Sequence, residues 1–303
     1  MVNTMAESEQ PWTENPPRLD VAIVGTGRTG SVIGAALRRA GHKVVACTAV
    51  SEVSRLRAES LLPGVPIKSV EDAVAACDAV FLTVPDDVLP QLVAGLAQTK
   101  ALSPGTFVIH TSGRYGVDVL SSLTSLGMLP MALHPVMTFT GTSVDLNRLS
   151  GCPFGVTAPD ILRHVAEALV VEIGGEPVWV PENHRALYHA ALAFGSNGLM
   201  TLVHETIRLL TVAGVEDPER MIAPLFGASL DNALRHGISA VTGPVMRGDI
   251  GTVREHIAAL SDYSADTLPS YLAMARLTAD RALENGRVSP ETVAAMLEVL
   301  GDQ

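Results

Sequence analysis

Three histidines stand where proton chemistry could be done. Phe107-Val108-Ile109 and Met131-Ala132-Leu133 are apolar runs that end in His110 and His134. In an open parallel sheet the carboxyl ends of the strands face the ligand crevice, so both imidazoles would point toward it. His189 precedes Asn197 by eight residues in a long apolar stretch. Eight helical steps of about 100° leave them within about 80° of each other on one helix surface, and His204 follows on nearly the same line. An imidazole can pass a proton to a heteroatom that is gaining charge, and a carboxamide can donate to the developing anion. These residue types make His189, Asn197 and His134 the candidate catalytic set. Ser112, beside His110, and the Thr242-Gly243-Pro244-Val245-Met246-Arg247 segment add hydroxyls and a guanidinium suited to a substrate carboxylate. His110, Ser112, Thr242, Gly243 and Arg247 are therefore the candidate substrate contacts. The blander alternative is that each histidine is a satisfied structural group, that Asp249 caps the following helix, and that Arg247 makes a surface pair.

The element that must bring a reactant to these groups lies near the start of the chain. Val21-Ala22-Ile23-Val24 is a buried-strand run, and Gly25-Thr26-Gly27-Arg28-Thr29-Gly30 follows at once. Val32, Ile33, Ala36 and Leu37 then recur at helical spacing, and Gly41 ends the helix before the strand Val44-Val45-Ala46-Cys47. A G-x-G-x-x-G between strand and helix predicts dinucleotide binding. Gly25 allows the tight turn, Gly27 admits a pyrophosphate, Gly30 permits close helix–strand packing, and the free N–H groups of the helix hold the phosphates. No Asp or Glu lies between Lys43 and Ser51, so the carboxylate that would select a free ribose 2′-hydroxyl is absent. Ser51, Ser54 and Arg55 could donate to a 2′-phosphate instead, with Arg28 and Arg57 as further candidates. The expected cofactor is thus NADP, with NAD the weaker fit; the alternative is that these arginines are solvated charges partnered by Glu52. The run Ala79 to Val84, which stops at Pro85, places Thr83, Val84 and Pro85 along the cofactor.

Composition excludes several other classes. The 303 residues are 47% hydrophobic and 17% charged, which suits a folded chain of two domains. A net charge of −11 disfavours nucleic acid and anionic membranes as partners, and no apolar run approaches the roughly 18 residues needed to span a bilayer. Cys47, Cys77 and Cys152 are isolated and read as buried thiols rather than metal ligands. Residues 1–17 carry Glu7, Glu9 and Glu14 but no Lys or Arg. They read as a disordered leader of a cytoplasmic protein rather than a signal or transit peptide. After Val180 the strand-and-turn pattern gives way to helical patterns, placing a nucleotide-binding domain at 18–180 and a helical domain at 181–303. Glu182 to Ala213 is apolar on most faces and predicts a central buried helix; Gly195 and Gly198 within it predict close approach of a neighbour or ligand.

Several of these stretches together resemble a known family. Val24-Gly25-Thr26-Gly27-Arg28-Thr29-Gly30, Thr83-Val84-Pro85-Asp86-Asp87, His134-Pro135 with Phe139, Tyr188-His189-Ala190-Ala191 with Ser196-Asn197, and Thr242-Gly243-Pro244 with Arg247-Gly248-Asp249 and Thr252-Val253 carry the likeness. The chain is similar over about Arg18 to Leu300 to bacterial Rossmann-like oxidoreductases with a C-terminal helical domain of unknown function. These are relatives of pyrroline-5-carboxylate reductase, ketopantoate reductase and 6-phosphogluconate dehydrogenase. The resemblance implies a doubly wound α/β cofactor domain followed by an all-α domain of the 6-phosphogluconate dehydrogenase-like type. It also implies homodimerisation through the helical domain and an active site in the cleft between domains. Ketopantoate-type reductases pair a helix lysine with an asparagine eight residues on, and here His189 takes the lysine's place. The resulting expectation is an NADP-dependent oxidoreductase that passes hydride to a small carbonyl or imine, with ketopantoate as the runner-up substrate. The alternative class is a non-catalytic NADP-binding sensor, and a deazaflavin redox partner is compatible with the family.

Overall fold

The computed structural model describes residues 18–301, so the expected leader at 1–17 lies outside the described residues. The first half alternates strand and helix: β1 (Asp20–Val24), α1 (Arg28–Arg39), β2 (Lys43–Cys47), α2 (Glu52–Leu61), α3 (Val70–Val74), β3 (Ala79–Leu82), α4 (Leu89–Thr99) and β4 (Phe107–His110). Next come α5 (Ser121–Thr124), β5 (Leu129–Pro135), α6 (Val144–Arg148), β6 (Pro153–Thr157), α7 (Arg163–Glu172) and β7 (Glu176–Trp179). The rest is helical: α8 (Arg185–Val212), α9 (Pro218–His236), α10 (Pro244–Arg247), α11 (Ile250–Tyr263), α12 (Leu268–Glu284) and α13 (Pro290–Gly301).

The strands form one sheet in the order β2-β1-β3-β4-β5-β6-β7. Every ladder is parallel except β5 with β6. Strand side chains alternate between faces, and here both faces are covered. Ile23, Phe81 and Ile109 pack with Val32, Ile33 and Leu37 of α1 and with Ala166, Leu169 and Val170 of α7. Ala22, Val24, Val80, Leu82 and Val108 pack on the other side with Val93 and Leu96 of α4 and Leu123 of α5. Burial on both faces is why these strands read as unbroken apolar runs. The chain order reverses at β1, which has β2 on one side and β3 on the other. Such a switch point opens a crevice at the carboxyl ends of the strands, and the glycine loop, Thr83 and the β4 turn all leave the sheet at that edge.

Two compact units are present, one up to Ala193 and one from Phe194, so the break falls within α8. In the second unit Val245, Val253, Ile257, Leu272, Ala275, Ala279, Val293, Met296 and Leu300 form the core, contributed by α10 to α13. The expectation of a central, buried helix after Glu182 is corrected. Of the residues in α8 only Arg185 is buried, while Leu187, Phe194, Leu199, Met200 and Leu202 are exposed. Among the described residues, nothing beyond the local turns of α8 comes within 4 Å of a methyl placed on Gly195 or Gly198. The apolar residues of α8 circle the helix instead of forming one stripe, so packing on a single side cannot cover them.

Candidate active site

The loop from β1 to α1 is shaped by sterics. Gly25 has φ +99°, a left-handed conformation that side chains rarely adopt. A methyl on Gly30 would stand 2.1 Å from the Gly25 carbonyl and 2.2 Å from Thr83 Oγ1, so α1 can lie on the sheet only with glycine there. Above Gly27 the space is open, and it begins α1 without a side-chain cap or an acidic residue in the first turn. Unsatisfied N–H groups beneath an open cradle fit an anionic phosphate. Thr26 faces inward: its buried hydroxyl donates to Thr48 O at 2.9 Å and to Ser54 O at 3.1 Å. Thr48, which sequence reasoning missed, also accepts from Gly25 N at 2.9 Å and ties the loop to the end of β2. Thr29 is partly exposed on the first turn of α1. Thr83 lies just past β3, where its hydroxyl donates to Gly25 O at 2.6 Å, and Val84 touches the Gly25 position. Thr83 and Val84 thus build the loop wall, and Pro85 follows them.

At the end of β2 the residues expected near a 2′-phosphate divide. Ser54 is buried, and its hydroxyl donates to Ser51 O at 2.7 Å while Ser51 Oγ accepts from Ser54 N at 3.1 Å, so this pair caps α2. Arg28 and Arg55 are exposed and Arg57 is half-buried. None of the three has a carboxylate within 4 Å among the described residues, Glu52 included. A segment not anticipated from sequence approaches them. A methyl on Gly141 (φ +79°) would stand 2.8 Å from Arg57 Nε and 3.1 Å from Arg28 Cα. That turn is held by Asp145, which is fully buried and accepts from Thr140 N at 2.7 Å and Gly141 N at 2.8 Å.

The histidines separate into two roles. His110 is wholly buried; its Nε2 is bonded to Gly116 O at 2.8 Å and its Nδ1 accepts from Ser112 N at 3.2 Å. Ser112 Oγ in turn accepts from Arg114 N and Tyr115 N, each at 3.2 Å. His110 and Ser112 are therefore spent on the turn that presents Gly113. Two imidazoles converge on Gly113, and a phenol joins them through His134. A methyl there would stand 2.8 Å from His189 Cδ2 and 2.9 Å from His134 Nε2. His134 Nδ1 is hydrogen-bonded to the Tyr188 hydroxyl at 2.8 Å, and the His134 and His189 rings meet edge-on at 6.2 Å. Gly155 of β6 makes room for the tyrosine, since a methyl there would stand 2.3 Å from Tyr188 Oη. Burial, reinforced by the nearby Arg185 and His189 charges, pushes His134 down to about 4. Burial pushes His110 to about 4 as well, and both rings are neutral at pH 7. Burial raises the Tyr188 phenol, against the opposing pull of Arg185. Sequence reasoning quoted Tyr188 only as a family marker; its position next to His189 was the available signal.

The remaining predicted residues belong to the second unit. Asn197 lies on α8 and is exposed. Thr242 and Gly243 precede α10, and the Arg247 guanidinium donates to Thr242 O, folding that loop on itself. Asp249 caps α11 as the blander reading anticipates, accepting from Thr252 N at 3.2 Å and from Thr252 Oγ1 at 2.7 Å.

A Rossmann-like domain matches residues 5–135, and a domain of unknown function, DUF2520, matches residues 152–278. The glycerol-3-phosphate dehydrogenase [NAD(P)+] of Rhodopseudomonas palustris is 27% identical over 164 residues, which are 49% of this chain and 48% of that enzyme. The chain thus spans about half the length of the curated relative it matches. Among solved structures, a candidate NADP oxidoreductase from Bacteroides fragilis superposes with a TM-score of 0.72 at 19% identity, covering 87% of this chain and 98% of the other. An imine reductase from Streptomyces aurantiacus superposes with a TM-score of 0.61 at 16% identity, covering 92% and 99%. Likeness at these identities is a likeness of fold. The chain thus matches a Rossmann-like domain in its first half and the DUF2520 domain in its second, and it shares its fold with these solved oxidoreductase structures.

Proposed function

We propose that the protein is an NADP-dependent oxidoreductase that reduces a small carbonyl or imine. The observation that carries this reading is the meeting of His134 and His189 on Gly113, with the Tyr188 hydroxyl bonded to His134, beyond the carboxyl end of β4 in the sheet whose β1 leads into the open glycine cradle. A bound reduced nicotinamide would supply the hydride. The chain's own residues have the complementary task of delivering a proton to the heteroatom that gains charge. His134 was expected as that donor; with its ring held near 4 it carries no spare proton at pH 7 and serves as hydrogen-bond partner to Tyr188. Tyr188 and His189 are then the donors within reach. Roles for Asn197, Thr242, Gly243 and Arg247 in holding substrate rest on residue type and spacing in the sequence.

For the cofactor, Gly25, Gly27 and the first turn of α1 would hold the pyrophosphate. Arg28, Arg55 and Arg57, without carboxylate partners, would meet a 2′-phosphate. The names of the relatives support a nicotinamide cofactor, NADP for the Bacteroides protein and NAD(P)+ for the Rhodopseudomonas enzyme. Fluorescence titration with NADPH and NADH tests the reading. NADPH should bind more tightly than NADH, Gly27→Asp should abolish both, and Arg55→Ala should weaken NADPH alone, by about tenfold for one lost charge-assisted bond. Binding should be followed by NADPH oxidation with a member of a panel that begins with ketopantoate and cyclic imines. Binding without turnover across that panel favours a sensor; no binding of either nucleotide overturns the oxidoreductase reading.

A further inference from the structure

Next to Tyr188 lies a buried charge with no ion-pair partner within 4 Å among the described residues. Arg185, at the start of α8, is 2% exposed. Its Nε donates to Thr157 Oγ1 at 2.8 Å, and its Nη2 donates to Ala132 O at 3.1 Å and Gly155 O at 3.0 Å. These acceptors are neutral. Its Nη1 is buried with no hydrogen-bond partner, and no carboxylate lies within 4 Å among the described residues. An ion buried in this way is costly, and buried charges are ordinarily paired. If Arg185 merely bolted α8 to β5 and β6, nothing would require a full charge there. The charge has a neighbour that can use it: the guanidinium carbon lies 5.6 Å from the Tyr188 ring centroid.

We propose that Arg185 is an electrostatic positioning residue whose buried charge, without an ion-pair partner, stabilises the phenolate of Tyr188 and so makes Tyr188 the proton donor of the site. Its catalytic consequence rests on the reductase reading above. As a C=O or C=N carbon accepts hydride from a reduced nicotinamide, the bond's electron pair moves to the heteroatom. That atom takes the proton of Tyr188 Oη. The tyrosinate left behind is held by Arg185 and by the Nδ1–H of neutral His134, until a solvent proton restores the phenol. The groups facing Tyr188 are consistent with this. His134 on β5, His189 on α8 and His110 on β4 supply no negative charge. Glu182, which precedes α8, is held by Val117 N at 2.7 Å and Asp118 N at 3.3 Å and acts on Arg185 only from beyond ion-pair distance. Asp86, beyond β3, acts on His110 and His134 in the opposite sense to Arg185. Cys152, ahead of β6, is a thiol that burial keeps protonated.

The test needs neither substrate nor cofactor. The ionisation of Tyr188 is read from phenolate absorbance as the difference between the wild-type protein and Tyr188→Phe, repeated in Arg185→Gln and Arg185→Lys backgrounds. Arg185→Gln keeps hydrogen-bond donors but removes the charge, and should lower the acid dissociation constant of Tyr188 by about tenfold or more, one pH unit. Arg185→Lys keeps the charge and should stay within about threefold of wild type. Equal shifts in both variants, or a shift in neither, overturn the proposal. Should the Gln variant fail to fold, Arg185→Met, which keeps the length of the side chain and removes its charge, is titrated in its place. An unshifted Tyr188 in that variant overturns the proposal. Unchanged Tyr188 ionisation in an enzyme that turns over removes the role of Arg185 alone, whereas a shifted Tyr188 in a protein without turnover removes the reductase reading alone.

Discussion

His134 shows how burial decides what a titratable group can do. From sequence it is a polar ring at the end of a strand and a natural proton donor. In the fold its ring is enclosed by Gly113, Tyr188 and His189 and held near 4, so at neutral pH it can accept or relay a proton but brings none of its own. Tyr188 does bring one, and its hydroxyl is already aligned on His134 at 2.8 Å. Tyr188→Phe removes that proton and leaves the ring packing intact. It should therefore lower kcat by about a hundredfold or more, the usual worth of a positioned acid, while the NADPH dissociation constant stays within about twofold. Stopped-flow turnover beside fluorescence titration measures both. If kcat is unchanged, the proton comes from His189, whose replacement by Ala should then produce the loss. Gly155 makes an independent prediction, because a side chain there would collide with Tyr188 Oη. Gly155→Ala should reduce kcat through displacement of the tyrosine, and a fully active Gly155→Ala enzyme would contradict the placement of Tyr188 against β6.

Among the elements, the parts legible in the sequence are those whose causes are local. The β1–α1 unit declares itself because glycine at 25, 27 and 30 is dictated by backbone sterics a few residues away, and the apolar runs of β3, β4 and β5 reflect burial on both faces. What escaped sequence reading depends on partners far along the chain. Arg185 finds its acceptors on β5 and β6, and Gly113 is defined by rings from residues 134 and 189. β6 and β7 are short and interrupted by Pro153, Gly155 and Pro177, which mask the period-2 signal. The segment between β5 and α6 is the most consequential omission, since it carries Gly141 to Arg28 and Arg57. Asp145→Asn tests its role. The amide keeps one acceptor but sets an NH2 group against backbone donors, leaving a buried polar clash worth about 1–3 kcal/mol. The variant should lose stability of that size in urea unfolding and lose affinity for NADPH several-fold more than for NADH. Equal loss for both nucleotides would show that this turn supports the loop generally and not the 2′-phosphate end.

For the whole molecule, two properties follow from what is and is not covered. Within the second unit Phe194 and Met200 of α8 and Met221, Leu225 and Leu234 of α9 are exposed, and exposed large apolar side chains in such number suit burial against a partner. A second copy of the chain is the proposed occupant, and sedimentation velocity should find a dimer that Phe194→Asp together with Met200→Asp dissociates; a monomeric wild-type protein would refute this. The second property is a stability that falls with pH well above the range where carboxylates titrate. His110 and His134 are each pushed down to about 4 by burial, whereas in the unfolded chain they titrate near 6.5. As pH drops below about 6.5 the unfolded state takes up protons that the folded state refuses, so stability decreases. By pH 5 the loss should reach roughly 2 kcal/mol for each histidine, from 1.36 kcal/mol per unit of pH difference. Acidic groups such as Glu205, Asp249 and Asp266, held below their usual range by hydrogen bonds, titrate at lower pH and leave this window to the histidines. Urea unfolding at pH 7.5, 6.0 and 5.0 measures the slope directly. A free energy of unfolding that stays level between 7.5 and 5.0 would mean that these two rings accept protons in the folded protein, and the neutral His134 on which the Tyr188 assignment depends would be lost with it.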